Sequence, residues 1–204
     1  ATAAVRDGDQ WVVNGQKTWT SFAGVADYCY LICRTTTEGP PHRGISEIVV
    51  PMDTPGVEVR PITDQTANRH FGEVFFDDVR VPVENLVGVE GDAFKQTMRQ
   101  LEHERGGIDR LVSNRALFDQ AVAACDRSDP LNRQDIATLE TGYRVGRLLV
   151  YREALGQAPP GFSAATKCFC TEHEQRVADF AARVLGPRAV AQGELGRAIA
   201  YAPA

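Results

Sequence analysis

The sequence lacks any long apolar run. No window approaches the eighteen or so consecutive apolar residues of a membrane-spanning helix, and the opening ATAAVRDGDQW lacks the charged-then-apolar layout of a secretory leader. Basic residues are scattered: 22 Lys and Arg against 27 Asp and Glu give a net charge of −5, which argues against a nucleic-acid or membrane-surface footprint. Cysteine is sparse, with Cys29, Cys33, Cys125, Cys168 and Cys170 at spacings that match neither a disulfide framework nor a zinc site. Cys168 and Cys170 are two apart in a helical stretch and so point to different faces, whereas metal ligands must converge. G-x-G-x-x-G, G-x-x-x-x-G-K-[ST] and G-x-S-x-G are all missing, which leaves nucleotide binding through those loops unsupported. The expectation is a soluble, cytoplasmic protein with free thiols and no metal.

What is present divides in two. The chain has 204 residues, 43% of them hydrophobic, enough to bury the core of one substantial domain or two small ones. Its first ninety residues are written as strands. ATAAVRDGDQWVVNGQKTWTS gives three β-prone runs separated by Asp7-Gly8 and Asn14-Gly15, a pattern that predicts consecutive hairpins. DYCYLICR, GISEIVVP, GVEVRPI and HFGEVFFDDVRVP follow, broken by Gly and Pro, and predict a compact antiparallel barrel or sandwich. From Gly91 the period lengthens: apolar residues at 94, 98, 101, 108, 112 and 122 predict one amphipathic helix, with two more over about 132–156 and 161–185. The reading is α+β, an antiparallel β-barrel-like domain over residues 1–89 followed by an antiparallel α-helical bundle over 90–204. The abrupt start in a strand and stop in a helix suggest a piece of a larger protein with an incomplete second domain.

Few residues stand out chemically. Glu104 lies three residues after Leu101 and four before Ile108, so helical spacing sets its carboxylate along the apolar stripe. Burial there would disfavour the charged form, which is how a carboxylate becomes a useful base near neutral pH. A structural ion pair with Arg105 or His103 fits the same spacing. Glu102 faces elsewhere and suits an i,i+3 pair with Arg105. Gly106-Gly107 costs about 1 kcal/mol per residue in a helix, which close approach of a ligand or backbone, or a local kink, would explain. TEHEQR, at 171–176, reads as a solvated helix face. In a strand, Trp19 and Ser21 share one face and Thr20 takes the other. An indole beside a hydroxyl at a strand end suits a planar heterocycle, held by stacking and one hydrogen bond; a core Trp next to a turn has the same sequence.

The motifs VVNGQKTWTSFAGVADY, MDTPGVEVRPI, FGEVFFDDVRVPVENLVG and LEHER, in this order, resemble the acyl-CoA dehydrogenase family over nearly the whole chain. The resemblance implies a FAD-dependent oxidoreductase of fatty acid or steroid side-chain β-oxidation, removing a Cα proton and a Cβ hydride from an acyl-CoA thioester. It implies an oligomer, homo- or heteromeric and tetrameric, with electron-transfer flavoprotein as acceptor. By the family's W-[IT]-[ST] motif, Trp19 and Ser21 contact the flavin, with Thr20 adding a backbone contact. The L-x-x-E-R setting of the isovaleryl-CoA and long-chain type makes Glu104 the base and Arg105 its active-site neighbour; a base in a later Y-E-G-T-like segment stays open. Two contacts that a neighbouring subunit gives to FAD look altered. Arg127-Ser128-Asp129-Pro130-Leu131 stands for R-x-x-F-G, and Arg183-Val184-Leu185-Gly186-Pro187 for Q-x-x-G-G. This suggests a half-site or non-catalytic partner subunit as an alternative, beside an acyl-CoA oxidase-like flavoenzyme.

Overall fold

The computed structural model describes residues 2–106, 108–190 and 193–202, with all their side chains except those of Glu102 and His103. The chain divides into two units, Ala1–Arg99 and Gln100–Ala204.

The first unit is a seven-stranded sheet. Its strands are β1 (Ala3–Asp7), β2 (Gln10–Ser21), β3 (Tyr28–Arg34), β4 (Ile45–Pro51), β5 (Val57–Ile62), β6 (Phe71–Pro82) and β7 (Leu86–Val87). Alternation along them sends Trp11, Val13, Leu31, Ile48, Val50, Val74 and Phe76 into one core. The strand order is β5-β6-β2-β1-β3-β4-β7. This corrects the expected antiparallel barrel in two ways. The sheet is open, ending in the two-residue β7 and in β5, whose Pro61 has no N–H to donate. It is also mixed: β2 turns back along β1 and pairs with the distant β6, so β3 arrives beside β1 in the same direction, pairing through Ala3 and Arg34.

Of the two predicted turns only the first exists. Gly8, with φ 64, opens the two-residue turn between β1 and β2. Asn14-Gly15 lies inside the unbroken β2, where the register with β6 shifts between Val13 and Gly15. The Asn14 amide exchanges two 2.9 Å hydrogen bonds with Asp78, donating to its carboxylate and accepting from its backbone N–H. Gly15 has φ 135, and a Cβ there would stand 2.6 Å from Thr2 Cα. A tertiary contact thus takes up the residues that local propensity assigns to a hairpin.

The second unit is helical, and α1 (Ala93–Glu104) enters it from the first. The single helix expected after Gly91 is three: α1, α2 (Ile108–Ser113) and α3 (Arg115–Ala124). The break after α1 falls at Arg105 and Gly106, and Gly107 lies outside the described residues. Asn114 joins α2 to α3 without capping either, because its side-chain oxygen accepts the Tyr143 hydroxyl at 2.6 Å. The long helices match their sequence signals closely. α4 (Pro130–Ala154) starts with Pro130 at its first turn and Asp129 accepting from the Leu131 N–H, and α5 (Phe162–Leu185) follows the left-handed Gly161. Leu117, Phe118, Tyr143, Val177 and Leu185 join these helices, and α6 (Glu194–Tyr201) packs against them.

Candidate active site

The end of β2 is strained and open. Trp19 has φ 60, within a second register shift between Lys17 and Thr20, and Phe22 has φ 57. Such conformations cost on the order of 1–3 kcal/mol each in a non-glycine residue, so the surroundings must hold them. They do: Trp19 meets Phe71 edge-on at 5.7 Å, Phe71 meets His70 at 4.2 Å, and His70 Nδ1 lies 3.0 Å from the Asp64 carboxylate. Asp64 in turn accepts from the Thr66 hydroxyl and from the N–H groups of Thr66 and Asn68, which hold its carboxyl below the usual range.

Trp19 is 61% exposed and so is not a core residue. Thr20 is half-buried and Ser21 exposed. Left-handed backbone at Trp19 presents this group. An open indole followed by two hydroxyls fits a planar, polar heterocycle such as a flavin.

Glu104 is the last residue of α1, and Arg105 follows it; both are exposed. The expected burial of Glu104 is therefore not found. Phe94 and Met98, on the same helix, are also nearly half exposed, with the His42 ring 5.8 Å from that of Phe94, so the apolar stripe is real in sequence but only partly covered. The alternative Glu102 pairing, like the His103 side chain, lies outside the described residues. No described backbone closely approaches Gly106. It borders a hollow of about 370 Å³ with Glu153 and Pro160, and a Cβ there would be 3.9 Å from the Glu153 carboxylate.

TEHEQR is solvated only in part: Glu172, Gln175 and Arg176 are exposed as expected, but its two central residues are not. His173 and Glu174 are each 2% exposed, with Glu174 3.0 Å from Arg110 of α2. Burial pushes the Glu174 carboxyl up although Arg110 pulls it down, and burial pushes His173 down to about 4, with the Arg176 charge a further cause. Arg183 is engaged within its own chain, donating to Asn132 Oδ1 at 2.9 Å and to the Asp135 carboxylate. Among the described residues all five cysteines are free and no cluster could hold a metal ion. One buried acid was not singled out from sequence: Glu47 of β4, 1% exposed. Its signal is a lone carboxylate inside the apolar run ISEIVV.

Comparison with known proteins matches residues 1–79 to "Acyl-CoA dehydrogenase, middle domain" and residues 91–203 to "Acyl-CoA dehydrogenase, C-terminal domain". The chain is 37% identical over 196 residues to Acyl-CoA dehydrogenase IpdE1 of Mycobacterium tuberculosis, covering 91% of this chain and 50% of that protein. A solved structure titled "Tcur3481-Tcur3483 steroid ACAD G363A variant" aligns with TM-score 0.89 at 31% identity, over 100% of this chain and 58% of that one. The ChsE4-ChsE5 complex from Mycobacterium tuberculosis aligns with TM-score 0.80 at 29% identity, over 99% and 58%. The chain spans about half the length of the curated relatives it matches.

Proposed function

Because the chain belongs to the acyl-CoA dehydrogenase family, we propose that its protein dehydrogenates an acyl-CoA thioester between Cα and Cβ using FAD. The observation that carries the proposal is the match to both domains of that family along nearly the whole chain. When bound, FAD supplies the acceptor for the hydride leaving Cβ. The Trp19 ring offers a stacking surface beside it, the Ser21 hydroxyl a hydrogen bond and Thr20 a backbone contact. Glu104 takes the Cα proton and carries it on its carboxylate, while Arg105 places a cation at the same helix end, where the dipole favours one.

The division of labour falls at 89/90, with flavin contacts in the β domain and the base in the helical one. The same proposal includes a cytoplasmic location, an electron-transfer flavoprotein as acceptor and assembly into an oligomer, which the similarity to the ChsE4-ChsE5 complex supports. No described helix is long and apolar enough to cross a membrane. A non-catalytic partner subunit is not favoured, since relatives matched over 91% of this chain bear enzyme names.

The test uses the full-length protein. Purified, it should carry FAD that is bleached anaerobically by octanoyl-CoA or by a steroid side-chain propanoyl-CoA. Glu104→Gln should retain FAD and lose about 10³-fold in turnover. A flavin-free protein that oxidises neither substrate would overturn the function, and a fully active Glu104→Gln would overturn the base.

A further inference from the structure

Glu47 stands on the face of β4 opposite Ile48 and Val50, which point into the core of the sheet. Its Oε2 accepts from the Tyr30 hydroxyl at 2.7 Å and from the Gln96 side-chain amide, and its Oε1 accepts from the Thr97 hydroxyl at 2.9 Å. Among the described residues no lysine or arginine forms an ion pair with it. Burial, followed by the hydrogen bond and charge of Glu47, pushes the Tyr30 hydroxyl up to about 12. Gln96 completes the cluster: its Nε2 also donates to the Val87 carbonyl at 3.1 Å, and its Oε1 accepts from the Val89 N–H at 3.3 Å. Between them Gly88, at φ 71, leaves the room that a Cβ would take from the Gln96 amide.

For cohesion alone this is a poor choice. A buried carboxylate costs several kcal/mol in desolvation, and a well-packed apolar residue would serve stability better. What the carboxylate adds is direction. Gln96 and Thr97 are adjacent and point about 100° apart around α1, so two donors on one acid fix both the rotation and the axial position of the helix. Thr97 and Glu104 are seven residues apart, two turns along nearly the same face.

We infer that Glu47 is a positioning residue for the proton transfer at Glu104, acting through its grip on Gln96 and Thr97 of α1. The inference rests on the proposed role of Glu104 as base. A rotation of α1 by about 20° would sweep a side-chain tip at about 5–6 Å from the axis through about 2 Å. A misplacement of about 1 Å can cost on the order of 10²-fold in rate.

The experiment compares Glu104→Gln, Glu47→Gln, Thr97→Val and Thr97→Ser in the full-length flavin-loaded protein, using whichever of octanoyl-CoA and the steroid side-chain propanoyl-CoA turns over faster. Glu47→Gln should lower kcat by about 10–100-fold, with KM, flavin content and melting temperature little changed. Thr97→Val, equal in shape but without the hydroxyl, should lower kcat about tenfold, and Thr97→Ser should restore most of it. Hydrogen exchange over residues 93–104 should quicken in Thr97→Val and not in Thr97→Ser. If Glu104→Gln is inactive but Thr97→Val and Glu47→Gln match the wild type in kcat, the positioning role is wrong and the base stands. If Glu104→Gln is fully active, both fall. Should Glu47→Gln fail to fold, the Thr97 pair decides.

Discussion

The two units bury carboxylates in opposite ways. In the sheet, Glu47 is surrounded by three neutral donors, and the one donor among them with its own amide to satisfy, Gln96, is satisfied as well. In the helices, Glu174 faces the full charge of Arg110, yet burial still pushes its carboxyl up, and its neighbour His173 has a buried Nε2 with no hydrogen-bond partner among the described residues. Asn114 Nδ2 in the same core, like Trp11 Nε1 in the sheet, also has none among the described residues. The first acid is held by neutral hydrogen-bond donors, the second by a charge set against its own desolvation.

Replacing one partner of the helical pair should show the largest effect. Glu174→Ala leaves Arg110, only 19% exposed along its side chain, without its carboxylate. The expected loss is about 3 kcal/mol in urea unfolding. Arg110→Met with Glu174→Leu should recover most of that, because the pair's desolvation disappears with its attraction. If the double variant is as unstable as the single one, the charges themselves stabilise this core.

Gly15→Ala tests the sheet at similar size. It requires an alanine at φ 135, with Cβ 2.6 Å from Thr2 Cα, and backbone on both sides cannot easily move. A loss of about 3 kcal/mol is expected. That residue also shows where the sequence misleads. Asn-Gly is a strong hairpin signal, but whether it makes a turn depends on what lies opposite, and here Asp78 and Thr2 arrive from 64 and 13 positions away. Long-range pairing likewise opened and mixed the expected antiparallel barrel. Helix limits fared better: α4 and α5 are bounded by Pro130 and Gly161, local signals that no partner overrides. At the candidate site the residue types in W-T-S and L-E-H-E-R were readable, but the left-handed backbone of Trp19 was not. Nor was the exposure of Glu104, since periodicity reports an apolar face without saying what covers it. TEHEQR misled at His173 and Glu174 for the converse reason: polar residues read as solvent-facing, while Arg110 sits 64 residues upstream of Glu174.

A smaller effect should come from acid. His173 titrates at about 4 in the folded chain against an ordinary 6.5, so the native state favours its neutral form. Its contribution is full above pH 6.5, declines as pH falls from 6.5 to about 4, and is lost below that, about 3 kcal/mol before the opposing shift of Glu174 is counted. Glu174 shifts upward and so opposes this trend at the acid end, where its protonation relieves a buried charge. His173→Leu should flatten stability between pH 6.5 and 4. Parallel slopes in wild type and His173→Leu would place the acid response elsewhere.

The smallest expected change in stability belongs to the residue with the largest proposed role in binding. Trp19 buries little, so Trp19→Ala should cost less than about 1 kcal/mol, far from the 3–5 kcal/mol of a truncated core Trp. Trp19→Gly should be more stable than Trp19→Ala by about 1 kcal/mol, since glycine adopts φ 60 without the strain that alanine retains. Both should lose FAD during purification, read as the ratio of flavin to protein absorbance. Stability and flavin retention moving in opposite directions across this pair would mark the strain at Trp19 as kept for binding. If both variants keep FAD and melt like the wild type, the open indole has no part in the flavin site; if both unfold, the ring supports the sheet despite its exposure.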